Sequence, residues 1–63
     1  MGELMTTEEA AALLDVQPNT LAKWRRLDAG PPFVKVGRNV RYRRRDLAEW
    51  LDGQRVLPGM SRL

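Results

Sequence analysis

Two short stretches hold most of the hydrogen-bonding and cationic side chains of this chain. Val16 to Trp24 reads VQPNTLAKW and presents Asn19, Thr20 and Lys23, with Arg25 and Arg26 immediately after. Arg41 to Arg45 reads RYRRR, with Lys35, Arg38 and Asn39 just before it. Amide and cationic groups of this kind suit the edges of stacked bases and their phosphates. Asn pairs with adenine, Lys with guanine or phosphate, and a small residue such as Ala22 leaves room for a thymine methyl. Other chemistries are poorly served. With no cysteine and no histidine there is neither a disulfide nor a thiolate or imidazole metal site. The carboxylates are scattered, and no phosphate-loop or dinucleotide fingerprint is present. A core this small also leaves little room for a substrate pocket of about 300 Å³ or more. The expectation is a protein that is not an enzyme, with no cofactor, no metal and no small-molecule substrate.

The charge layout agrees with the motif positions. The chain has 63 residues and a net charge of +3. Residues 1–22 carry Glu3, Glu8, Glu9 and Asp15, a local charge of −4. Residues 23–45 carry Lys23, Arg25, Arg26, Lys35, Arg38, Arg41, Arg43, Arg44 and Arg45 against Asp28 alone, a local charge of +8. So concentrated a block is the footprint of a polyanion binder. No apolar run approaches the ~18–20 residues of a membrane span, and the N-terminus does not read as a secretory signal. A cytoplasmic location, where the chain can meet DNA, follows as an expectation, with no membrane partner.

The elements that must position these residues can be placed along the chain. Thr6-Thr7-Glu8-Glu9 has capping-box spacing, so a first helix is expected over about Thr7 to Leu14. Asp15-Val16-Gln17 is a short turn. Pro18 suits the first position of a second helix, which runs to about Leu27 and has in Gln17 a poor cap. Val16 and Leu21 have hydrophobic-staple spacing. On a helical wheel Thr20, Leu21, Trp24 and Leu27 share the buried arc, Asn19, Ala22, Lys23 and Arg26 lie opposite, and Arg25 flanks them. Asp28 to Pro32 is a connector, because its prolines neither continue a helix nor donate to a ladder.

Phe33 to Val36 and Val40 to Arg43 are expected as two strands around a Gly37-Arg38-Asn39 loop. Val40 and Tyr42 then face inward while Arg41 and Arg43 form a cationic face. A third helix should start near Asp46, capped by Arg45 or Asp46, show the apolar stripe Leu47, Trp50, Leu51, and end at Gly53. The large side chains expected in the core are Leu13, Leu14, Leu21, Trp24, Phe33, Tyr42, Leu47, Trp50 and Leu51. Residues 1–53 would form one domain and residues 54–63 a flexible tail. The fold class is small α+β: a winged helix-turn-helix with a two-stranded hairpin wing and a third, packing helix.

Three segments in order, the T-x-E-A-A opening, the P-x-T-L-x-x-W second helix and the G-x-x-x-R-Y-R-x-x-D-L-x-x-W-L wing-to-helix junction, resemble the excisionase family of small winged-helix proteins. That family is related to the DNA-binding domain of MerR-type regulators, and the likeness covers about residues 4–52. It implies that the second helix enters the major groove, with Asn19 and Lys23 at base edges. It also implies that Arg38 sits at the wing tip and that Arg41, Arg43 and Arg44 hold the DNA backbone. Proteins of this family bind cooperatively near an attachment site of a phage or mobile element, bend the DNA and steer an integrase towards excision. Gln17 and Arg45 depart from the family's usual small helix caps.

The function expected is therefore that of an architectural protein on double-stranded DNA, self-associating along it and partnered by an integrase or recombinase. Candidate contacts are Asn19, Thr20, Lys23, Arg25 and Arg26 on the second helix, and Lys35, Arg38, Asn39, Arg41, Arg43 and Arg44 in the wing and its junction. A small MerR-like promoter regulator is the alternative, although no heptads follow Trp50 to supply the coiled coil of that group. A protein-interaction module such as an antitoxin is a third reading. Single-stranded RNA is disfavoured, because its readers expose aromatics for stacking and Trp24, Trp50, Phe33 and Tyr42 are expected in the core here.

Overall fold

The computed structural model describes residues 3–56. Their elements run β1 (Leu4–Met5), α1 (Thr7–Leu14), α2 (Pro18–Arg26), β2 (Val34–Val36), β3 (Asn39–Arg43) and α3 (Arg44–Gly53). The three strands form an antiparallel sheet of order β1-β3-β2. The architecture is a small α+β winged helix-turn-helix, as the sequence pattern implies.

α1 begins with the expected capping box. Thr6 Oγ1 accepts from the Glu9 N–H at 3.1 Å, and the Thr6 N–H donates to Glu9 Oε1 at 2.9 Å. Both helices of the helix-turn-helix close in the same way. The Val16 N–H reaches the Ala11 carbonyl at 3.0 Å and the Asp15 N–H that of Ala12 at 3.3 Å. After α2, Ala29 reaches Trp24 at 2.8 Å and Asp28 reaches Arg25 at 3.2 Å. These are paired Schellman-type closures, whose αL position usually holds glycine. Here it holds Asp15 (φ 59°) and Asp28 (φ 58°). The start of α2 matches expectation: Gln17 provides no side-chain cap and Pro18 takes the first turn.

Three features differ from the sequence-based expectation. First, Leu4–Met5, ahead of the first element expected from the sequence, is a strand, registered Leu4↔Arg43 and Met5↔Tyr42. The wing is therefore part of a three-stranded sheet, and Met5 enters the core at 5% exposure. Second, the hairpin turn has two residues rather than three, because Asn39 pairs with Val36. Gly37 at φ 65° occupies the first central position and Arg38 has no positive φ, the pattern of a type II′ turn. Third, α3 starts at Arg44 with Arg43 as its cap, so neither Arg45 nor Asp46 caps it; Asp46 lies in the first turn. The Arg44 N–H donates to the Glu3 carbonyl at 2.9 Å, which takes up one donor at that helix start. Residues 57–63 of the expected tail lie outside the described residues.

The core is built from Met5, Ala10, Ala11, Leu21, Tyr42 and Leu47, with Leu14, Val16, Trp24 and Val40 packed half-buried against it. Three expected core members and one residue of an expected buried arc lie outside it. Leu13, Phe33, Leu51 and Leu27, the last from the expected buried arc of α2, are all exposed, Leu27 by 63%. The two buried alanines explain part of this. Small side chains bring α1 close to its neighbours, so fewer large ones are needed to fill the centre. Trp24 and Trp50 are half-buried and meet with ring centroids 5.7 Å apart at 48°, which ties α3 to α2. Gly30, at φ 83°, lies against the Trp24 ring, where a Cβ would come within 2.9 Å of Cε3. The connector therefore sits tightly beneath the tryptophan and delivers the chain into β2.

Candidate nucleic-acid interface

α2 presents the expected face. Asn19, Lys23 and Arg26 are exposed, Ala22 and Thr20 are half-buried, and Leu21 on the opposite side is fully buried. No acidic residue lies within Pro18–Arg26, so nothing on the helix neutralises its cations.

The register of the wing decides where its cations point. Directly opposed residues of an antiparallel pair share a face of the sheet, and a shift of one residue reverses every side chain. Lys35 is registered with Val40, and Val34 with Arg41. Lys35 thus lies on the Val40/Tyr42 face together with Phe33, the face towards α2. Asn39, Arg41 and Arg43 alternate onto the other face. A three-residue loop would have placed Lys35 opposite Arg41 instead. The basic residues are consequently divided into two sets, with exposed Arg38 at the tip between them. Lys23, Arg25, Arg26 and Lys35 belong to α2 and the side of the wing that faces it. Arg41, Arg43 and Asn39 belong to the outer face.

Individual contacts refine this division. Arg43 and Lys35 are exposed, whereas Arg41 is half-buried and its Nη1 donates to the Val40 carbonyl at 2.8 Å. Arg44 is exposed at the sheet-to-helix junction and engaged through its backbone with Glu3. Arg25 is half-buried. Its Nη1 donates to Tyr42 Oη at 2.7 Å and, more weakly, to Thr7 Oγ1 at 3.4 Å. Its guanidinium carbon lies 5.7 Å from the Phe33 ring centroid and 6.0 Å from that of Tyr42. On the helical wheel Arg25 only flanks the polar face, and its half-burial comes from tertiary packing. Its partners 17 and 18 residues away in sequence left no local signal. Among the described residues no group of three or more His, Cys, Asp or Glu side chains could hold a metal ion, and no helix is long and apolar enough to cross a membrane.

Two helices joined by a short turn, a hairpin wing beside the second, and a cation-rich surface shared between them define a winged helix-turn-helix domain, a DNA-binding fold. The chain belongs to the helix-turn-helix domain family, whose sequence pattern matches residues 4–55. No curated protein matches the chain.

Proposed function

We propose that this protein is a non-enzymatic architectural factor of excisionase type, acting on double-stranded DNA. In this reading α2 enters the major groove with Asn19 and Lys23 at base edges, while the wing, tipped by Arg38, engages the adjacent backbone. Several copies bind side by side near the attachment site of a phage or mobile element, bend the DNA and bias an integrase towards excision. The observation that carries the reading is the exposed Asn19, Lys23, Arg26 face of α2 standing beside a cationic wing, within a domain too small to cover a long site alone. Most affinity should come from phosphate contacts and counterion release. Selectivity should come from the few α2 side chains and from the deformability of the site.

The test is a titration against duplex fragments of increasing length from the region flanking the gene, at two salt concentrations. If about six phosphates are neutralised, affinity falls on the order of a thousandfold between 50 and 200 mM salt. Cooperativity that appears as fragments lengthen supports the architectural role. One discrete complex at a promoter would instead favour a small MerR-like regulator, and no duplex binding at low salt would remove DNA as the partner.

A further inference from the structure

Arg25 and Arg26 are neighbours on α2, yet they are held in different ways. Arg26 is exposed, whereas Arg25 is half-buried and fixed by two hydroxyls and two aromatic rings. Those contacts orient the guanidinium without neutralising it. Neither hydroxyl carries a charge, and the ion pair of Arg55 with Asp52 lies elsewhere, at the end of α3. Both hydroxyl contacts use Nη1, so Nε and Nη2 of Arg25 have no partner among the described residues. A partly desolvated cation with unused donors favours an anion that can complete its shell.

The surroundings say which side the anion approaches from. An open cleft of about 430 Å³ lies between α2 and the wing, lined by Ala22, Arg25, Arg26, Phe33, Lys35 and Val40. It brings three cations to one space and contains no carboxylate. A second cleft shares Arg25 and Phe33 but is also lined by Asp28, whose charge repels an anion. Lys35 reaches the first cleft because the two-residue turn sets it on the Val40 face.

We propose that Arg25, with Arg26 and Lys35, forms a preset clamp for one backbone phosphate of duplex DNA in the cleft between α2 and the wing. Tyr42 and Thr7 act as positioning residues that hold the guanidinium ready. The inference rests on the DNA-binding reading above and assigns Arg25 to the backbone rather than to base edges. An arginine already immobilised gives up less side-chain freedom on binding than an extended one. A phosphate contact fixes register and carries no sequence information. The clamp thus contributes equally on cognate and unrelated duplexes.

The test measures binding of Arg25→Gln, Arg25→Lys and Tyr42→Phe to a labelled cognate duplex and to an unrelated one over a salt series, with thermal unfolding as a check on folding. Arg25→Gln should weaken both complexes by the same factor and reduce the salt slope by about 0.9. Between 50 and 200 mM salt its affinity would then fall about threefold less than that of the unaltered protein. Arg25→Lys should keep the slope while losing affinity, and Tyr42→Phe should do the same more mildly. The unaltered protein supplies a second measurement that no folding defect can confuse. The Arg25 Nε–Hε resonance should shift on adding the duplex, and a neutral methylphosphonate at a single position should abolish that shift. An unchanged salt slope in a folded Arg25→Gln variant, or an Arg25 resonance indifferent to DNA that does bind, would overturn the clamp and leave DNA binding standing. Failure of the unaltered protein to bind any duplex would overturn both.

Discussion

Replacing Gly30 by alanine probes the contact on which the connector between α2 and the wing depends. Two penalties combine at this position. The backbone sits at φ 83°, and left-handed geometry costs an L-residue about 1–2 kcal/mol. The new Cβ would stand 2.9 Å from Trp24 Cε3 and 3.0 Å from Trp24 Cβ, and relieving such overpacking costs about 1–3 kcal/mol. Trp24 cannot simply withdraw, because its ring is set against Trp50 of α3. The two penalties sum to about 2–5 kcal/mol. A net loss at the lower end, about 2–3 kcal/mol, is expected because the mostly exposed connector can relax. The total stability for a core of this size is roughly 3–5 kcal/mol. At about 4–8 °C per kcal/mol, Tm should drop by about 10–20 °C. Gly37→Ala is the control. Gly37 also has positive φ, at 65°, but a Cβ there meets nothing within 4 Å, so it should cost about 1 kcal/mol from backbone strain alone. Thermal and urea unfolding of the two variants, followed by far-ultraviolet circular dichroism, separates the two penalties. Equal losses for both, or a Gly30→Ala Tm within about 3 °C of the unaltered protein, would refute the tight Trp24 contact.

Further outcomes follow from the caps and from the recognition surface. Asp15→Gly and Asp28→Gly should each stabilise the domain by about 1 kcal/mol, visible as a raised urea midpoint at constant slope. Each removes a left-handed non-glycine residue and a negative charge from the negative end of a helix dipole. Thr6→Ala should cost about 1 kcal/mol in the same assay, because it removes half of the capping box. Asn19→Ala should weaken binding to the cognate duplex by about 1–3 kcal/mol while sparing unrelated DNA; competition titration reads this, and a uniform loss would assign Asn19 to the backbone. Arg38→Glu should lower affinity for all duplexes in the same titration, whereas full retention of affinity would detach the wing tip from the DNA.

Much of the fold was legible because its signals are local. Thr6 and Glu9 announce α1, Pro18 announces α2, and a glycine between apolar strands announces the hairpin. β1 was not legible, because two residues carry no periodicity and gain strand character only by pairing with Arg43 and Tyr42 about forty positions later. The helical wheel gave the direction of each face but not what lies opposite it. Leu27 and Leu51 fall on apolar stripes yet stay exposed, since a domain this small has too few elements to cover every stripe. The burial of Met5, Ala10 and Ala11 has no local signal, because small or terminal side chains do not stand out beside the larger apolar ones.

The candidate site divides in the same way. Its residue types were plain in the sequence, as was their concentration in one block. The separation of Lys35 from Arg41 and Arg43 depends on a single residue of turn length, which Asn39 decides by joining the ladder. The fixing of Arg25 by Tyr42 and Thr7 depends on tertiary packing that no local spacing encodes.

The measurement that bears most directly on the central claim is backbone amide shift mapping on addition of a short duplex at low salt. The predicted result is a set of perturbations over Asn19 to Arg26 and at Gly37 and Arg38, with little change along the exposed face of α1 at Glu8, Ala12 and Leu13. Perturbations confined to that acidic α1 face, or no perturbation anywhere, would contradict DNA recognition by α2 and the wing.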